Sequence, residues 1–208
     1  IFGVHGGTGT IFAVVKARAY WYSGLFPVIF VVSAMVSGTA LLLAMYIIKT
    51  KVTGKAVDLE LVRGLAKLMV AFLLVDLGLQ FYEYLIAVYG LEREHLETLA
   101  VMTTGSMAWV FWGMQLFLGA LIPLVIAFRK NTASSPTALL VAAVLVIIGI
   151  LGVRFNIVLP PLIAPVMEGL PRGDYWPTFS EWMISAGIVA MGLFLYTLGE
   201  KLLPIDED

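Results

Sequence analysis

Asp76, Gln80 and Glu83 in "VDLGLQFYEYL" are spaced i, i+4 and i+7, which puts them on one face of a helix. Carboxylates take up and release protons, and a carboxamide between them can bridge by hydrogen bonds. The surrounding residues are apolar, and an ionised, unpaired carboxylate deep in hydrocarbon costs roughly 3 kcal/mol or more. Such a group is expected to be protonated, paired or facing water. The stripe therefore reads either as a proton path toward one membrane face or as hydrogen bonds between helices that fix their packing.

A second candidate lies at the start, in "HGGTGTIFAVVKARAYW". No strand precedes these glycines and no Lys-Ser/Thr follows them, so they resemble a phosphate loop only superficially. A flexible glycine-rich turn carrying His5 and Thr8 suits a quinone headgroup, whose carbonyl needs a donor and whose reduction needs protons. The plainer reading of His5 is a solvated residue at the membrane surface.

These groups need elements to hold them. The chain has 208 residues, 61% hydrophobic and 13% charged, with a mean hydropathy of +0.98, the composition of an integral membrane protein. Apolar runs near 24–48, 61–89, 103–128, 137–159 and 180–203 each approach or exceed the roughly 20 residues that a spanning helix needs. The alternation of a membrane barrel is missing, so the expected class is all-α. A polytopic transmembrane bundle of about five spanning helices would occupy 24–208, after an outer-face loop and the end of a preceding helix in 1–23. The chain begins at Ile1, with neither an initiator Met nor a signal peptide ahead of the first span, which reads as part of a longer protein.

Composition also excludes chemistry. A net charge of -1 with no basic cluster leaves no electrostatic footprint for nucleic acid. Without cysteine there is no disulfide, thiolate metal site or iron–sulfur ligation. The two histidines, His5 and His95, both lie outside the apolar runs, so a buried bis-histidine haem has no ligands and no metal site is expected. Electrons handled here would travel through a bound small molecule or partner subunits.

Lys49, Lys51, Lys55, Arg63, Arg129, Lys130 and Lys201 fall on one side of such a bundle, and Lys16, Arg18, Arg93 and Arg172 on the other. The excess places the first set in the cytoplasm. Residues 1–23, 90–102 and 160–179 then face outside and the tail "PIDED" ends inside. Asp76 falls near mid-membrane and Glu83 toward the outer side. "GLEREHLETL" reads as a short helix on the membrane face, and Ser135 and Pro136 as a helix start. Ser33, Ser37, Gly38 and Ala44 allow close helix packing.

The outer stretch "YWPTFSEW" reads as another helix start. Thr178 and Glu181 form T-x-x-E, a capping box, with the Glu181 charge at the positive end of the helix. Trp176 and Trp182 suit the interfacial aromatic belt. In "GVRFNIVLPP", Arg154 and Asn156 sit near the outer end of the fourth span, where Arg154 can approach Glu181. Arg154, Asn156, Thr178, Glu181 and Trp182 are therefore given structural roles and no catalytic residue is assigned.

These residues resemble the polysulfide-reductase membrane-subunit (NrfD-like) family, in its ten-helix branch found in hydrogenase, sulfite-reductase-linked and alternative complex III assemblies. The resemblance covers almost the whole chain. It rests on "HGGTGTIFAVVKARAYWYSGLFPVIFVVSAMVSGTALL", "FWGMQLFLGALIPLVI", "VRFN" and "YWPTFSEWMISAGIVAMGLFLY". The resemblance implies the C-terminal half of a ten-helix subunit in the plasma (inner) membrane of a bacterium or archaeon. It further implies a subunit without a redox cofactor of its own, either quinone-reactive or non-catalytic. Electrons would pass between menaquinone or a related quinone and a ferredoxin-like iron–sulfur subunit, beside a multihaem cytochrome c and a catalytic oxidoreductase subunit. His5 matches the family's histidine just after the fifth helix, at the edge of the quinone pocket. Some relatives carry an arginine where this chain has Asp76, so the resemblance itself assigns Asp76 no role. A proton or ion translocator using Asp76, Gln80 and Glu83, and a passive membrane anchor, stand as rival expectations.

Overall fold

In the computed structural model, which describes residues 2–165, 167 and 169–202, every regular element among the described residues is helical. A π-wound turn, Phe2–Gly6, leads into α1 (Gly7–Ala13). There follow α2 (Phe26–Val52), α3 (Leu59–Tyr89), α4 (Arg93–Thr103), α5 (Trp109–Phe128), α6 (Pro136–Ile163) and α7 (Phe179–Leu202). α5 is π-wound over Trp109–Leu121 and α-helical over Ile122–Phe128. The tail "PIDED" lies outside the described residues.

Local chemistry sets the helix starts. Asp58 accepts from the Glu60 and Leu61 amides at 2.9 and 3.2 Å and opens α3. Ser135 accepts from the Ala138 amide at 3.4 Å, with Pro136 next to it in the first turn of α6, where its missing N–H costs nothing. α4 ends where the Thr104 and Gly105 amides both bond to Ala100 O. A side chain at Gly105 would lie 2.8 Å from Val101 Cα. This turn delays α5 to Trp109, six residues past the expected start at 103.

Four described helices, α2, α5, α6 and α7, are long and apolar enough to cross a membrane. The expected second span, α3, stands outside that set. Its 31 residues reach about 46 Å, but Arg63, Lys67, Asp76 and Glu83 interrupt its apolar run. α4 is more than a surface helix, because Thr98, Val101 and Met102 are buried.

The segment expected to be a flexible glycine-rich turn is helical instead. The Thr8 and Thr10 hydroxyls donate back to Val4 O and Gly6 O at 2.9 and 2.8 Å. Gly9 is buried against α2, where a Cβ would lie 2.6 Å from Pro27 Cα. The glycine serves close approach here, not flexibility.

Ile1–Gly173 and Asp174–Asp208 form two compact units. In the first, α2 packs on α3 and α6, and α6 on α5. Val36, Leu43 and Ile47 of α2 meet Val62, Met69 and Leu73 of α3 and Leu139 and Val146 of α6 in one apolar core. A second, more aromatic core gathers Tyr20, Phe26, Phe30, Met102, Phe111, Val153 and Ile157. Lipid tails are as apolar as these side chains, so tight van der Waals contact holds such helices together. It is tightest at Gly119 and Gly149, where a Cβ on either would lie 2.3 Å from the other's Cα. Of the small residues expected to matter in α2, Ser33 and Ala44 are buried, Ser37 is half-buried, and a side chain at Gly38 would meet nothing within 4 Å. The second unit contains α7, a helix of 24 residues.

Candidate functional site

Between the two cores the bundle is polar. Asp76, Gln80 and Glu83 are all buried along one face of α3, as their spacing requires. The close approach at Gly119 and Gly149 brings Gln115 of α5 and Asn156 of α6 to the same level. Asn156 Nδ2 donates to Gln115 Oε1 at 2.5 Å. Gln115 Nε2 donates to Gln80 Oε1 at 2.7 Å and to the Tyr84 hydroxyl at 3.0 Å. Gln80 Nε2 donates in turn to Asp76 Oδ2 at 2.5 Å. From Asn156 through Gln115 and Gln80 the donors run toward the Asp76 carboxylate, with a branch from Gln115 to Tyr84, so each bond of the run polarises the next.

Three buried polar atoms here, Asp76 Oδ1, Asn156 Oδ1 and Arg154 Nη1, have no hydrogen-bond partner among the described residues. Two small cavities adjoin the chain. One, of about 10 Å³, is lined by Asp76, Gln80 and Gln115 together with Gly119 and Gly149. The other, of about 20 Å³, is lined by Gln80, Glu83, Tyr84 and Tyr20. Each is close to the space one water needs, and Gln80 borders both.

Arg154 donates from Nη2 to Ser33 Oγ at 2.6 Å, and its guanidinium lies 4.0 Å from the Phe30 ring centre. It is also within electrostatic reach of Asp76. α6 continues to Ile163, so Arg154 sits inside the helix and not near its end, as its sequence position had suggested.

The Glu83 end of the polar face is held by the connection from α1 to α2. Ser23 Oγ donates to Glu83 Oε2 at 2.9 Å. The Tyr20 ring meets His95 edge-on at 6.1 Å. Burial, then the nearby Tyr84 and Glu83, pushes the Tyr20 hydroxyl well above its ordinary pKa. The connection itself is strapped down at several points. Trp21 Nε1 donates to Ile157 O at 2.7 Å, Arg18 Nη1 to Ala164 O at 2.9 Å, and the Ala19 amide to Glu94 Oε2 at 3.1 Å.

The structure thus gathers Asp76, Gln80, Glu83 and Asn156, with Arg154 beside them. His5 and Thr8 are not joined to this set by any hydrogen bond or ring contact among the described residues. The His5 ring is half-buried with Nδ1 unbonded among the described residues, while Thr8 is exposed. In the second unit the Thr178 amide donates to Glu181 Oε2 at 2.5 Å, and the Glu181 amide to Thr178 Oγ1 at 3.4 Å. The Tyr175 hydroxyl adds a bond to Glu181 Oε1 at 2.8 Å, which raises the Tyr175 pKa. Arg154 and Glu181, expected to approach each other, each have hydrogen-bond partners within their own unit. Trp182 is about half exposed and its amide bonds to Thr178 O at 3.1 Å.

Sequence reasoning did not single out Gln115, Tyr84, Ser23 or Tyr20. Gln115 carried a usable signal, being a lone carboxamide in the apolar run "FWGMQLFLGAL". The other three belong to the site through contacts that spacing does not reveal.

The chain is similar over nearly its whole length to membrane subunits of reductase complexes. It is 34% identical to a subunit of the selenate reductase of Mesobacillus selenatarsenatis, over 98% of this chain and 49% of that protein. It is 31% identical to the Hdr-like menaquinol oxidoreductase integral membrane subunit of Archaeoglobus fulgidus, over 96% of this chain and 53% of that one. The menaquinone reductase integral membrane subunit of Nitratidesulfovibrio vulgaris is 29% identical, over 96% and 50%. The chain spans about half the length of the curated relatives it matches. Residues 2–165, which hold the whole polar chain from Asp76 to Asn156, match the family described as polysulphide reductase, NrfD. With helices built to cross a membrane and that match over most of its length, this multi-pass membrane protein belongs to the polysulphide reductase NrfD family.

Proposed function

We propose that this chain is part of a quinone-linked membrane subunit of a respiratory oxidoreductase, exchanging electrons between menaquinone or menaquinol and a partner iron–sulfur subunit. In this reading the assembly also holds a multihaem cytochrome c and a catalytic oxidoreductase subunit. The observation that carries it is the similarity, over 96% of the chain, to two subunits named for menaquinol or menaquinone chemistry. On this chain His5 is the candidate for the edge of the quinone site. Its Nδ1, buried and unbonded among the described residues, can meet a quinone carbonyl, with Thr8 one turn further on. The quinone supplies the redox chemistry; the protein's part is to bind it and handle protons. The test is electron transfer from a menaquinol analogue through the purified complex. Activity that falls at least tenfold in His5→Ala is expected, and a complex without quinone-linked transfer overturns the reading.

The buried polar chain favours a second role within the same protein. A proton-translocating subunit needs proton-holding groups within the membrane, separate from the quinone's own protons, and Asp76 and Glu83 are two such groups about 10 Å apart along α3. Two water-sized spaces border Gln80, one lined also by Asp76 and the other by Glu83. Protons would run from Asp76 past Gln80 to Glu83 and leave near Ser23 and His95. Replacing Gln115 by Leu removes the amide that holds Gln80 in place while keeping both carboxylates. Proton movement should fall severalfold with electron transfer retained; unchanged proton movement sinks this role.

A further inference from the structure

At the opposite end of the bundle, α3, the end of α5 and the start of α6 enclose a groove of about 700 Å³. That lies within the roughly 300–1,000 Å³ of small-molecule sites. Arg63, Lys67 and Lys130 line it, and among the described residues none of the three side chains has an ion-pair or hydrogen-bond partner. Its floor is apolar, running through Val70 and Leu74 of α3 with Phe128 of α5 at its side. From Arg63 to Leu74 the helix advances about 16 Å, close to the half-thickness of a bilayer's hydrocarbon core. The groove therefore has cations at one end, with about 10 Å of apolar wall between Lys67, the deeper of the two on α3, and Leu74.

We propose that this groove binds an anionic phospholipid, its phosphate held by Arg63, Lys67 and Lys130 and its acyl chains laid along Val70, Leu74 and Phe128. Three cations without a partner among the described residues select an anion over a zwitterionic or neutral headgroup. A soluble acidic partner would satisfy the charges and leave the apolar wall unfilled; a lipid fills both. The basic residues lie on the side that the charge distribution places in the cytoplasm, where anionic lipid is recognised by such clusters. The inference is independent of the redox reading.

The experiment is native mass spectrometry of the intact complex containing the full-length protein. It compares retention of phosphatidylglycerol with that of phosphatidylcholine carrying the same acyl chains. The wild type should retain one phosphatidylglycerol more than the triple variant Arg63→Gln, Lys67→Gln, Lys130→Gln. Its apparent affinity should drop about fivefold for each cation removed, on the order of a hundredfold in all. Ala71→Trp fills the floor and keeps every charge, so it too should lose the lipid; it decides the matter if the triple variant fails to assemble. Equal retention of both lipids, phosphatidylglycerol retention unchanged in Ala71→Trp, or polypeptide density occupying the groove in the intact complex would each overturn the proposal.

Discussion

Two helices of this protein carry carboxylates of interest and treat them differently. On α7, Glu181 is held by Tyr175 and Thr178, six and three residues away in the chain. On α3, Asp76 is held through Gln80 by Gln115 and Asn156, which come from two other helices. The first arrangement is made by any chain that starts a helix with T-x-x-E. The second exists only once α3, α5 and α6 have packed. A local site costs little to build and is replaceable, whereas one assembled across helices depends on the packing and in turn restrains it. In a membrane that restraint is worth keeping when the polar groups have something to do.

The comparison breaks most sharply at the glycines. Gly149→Val puts a branched side chain where α5 and α6 touch, and should destabilise the full-length protein by about 3 kcal/mol. Thermal unfolding in detergent measures this, and amide exchange in the first turn of α7 should be unaffected. Gln115→Leu removes the donor to Gln80 and Tyr84 and the acceptor for Asn156. Interhelical bonds in membranes are modest, so a loss of about 1–2 kcal/mol is expected by the same assay. Thr178→Ala should cost about 1 kcal/mol, confined to fraying of the α7 start, which amide exchange reads directly. Smallest is Asp76→Asn, which keeps an oxygen for the Gln80 donor and should change stability by under about 1 kcal/mol.

The same division explains what was legible beforehand. The starts of α6 and α7 were readable because Ser135 with Pro136 and Thr178 with Glu181 act on neighbours a few residues away. The α3 stripe was visible as spacing, yet spacing left open what would meet it. Gln115 reaches Gln80 only because Gly119 and Gly149 let two helices touch, a property of a pair of segments and not of either one. Hydropathy also carried the third span through "TTGS", where Gly105 closes α4 and delays α5 to Trp109. The glycines of "HGGTGT" suggested flexibility; Gly9 instead meets Pro27 of α2 at a distance no side chain would tolerate. The misses at Gln115 and Gly9 are contacts between distant segments, whereas the one at Gly105 is a local turn against Ala100 and Val101 that hydropathy does not register.

The central claim is that the buried face of α3 moves protons and does not merely pack. The direct test is Asp76→Asn in the full-length protein, with the intact complex reconstituted in vesicles and quinone-linked electron transfer and proton movement recorded together. The account predicts a stable complex with electron transfer preserved and proton movement abolished. If electron transfer and proton movement both proceed as in the wild type, Asp76 serves packing alone and the claim is contradicted.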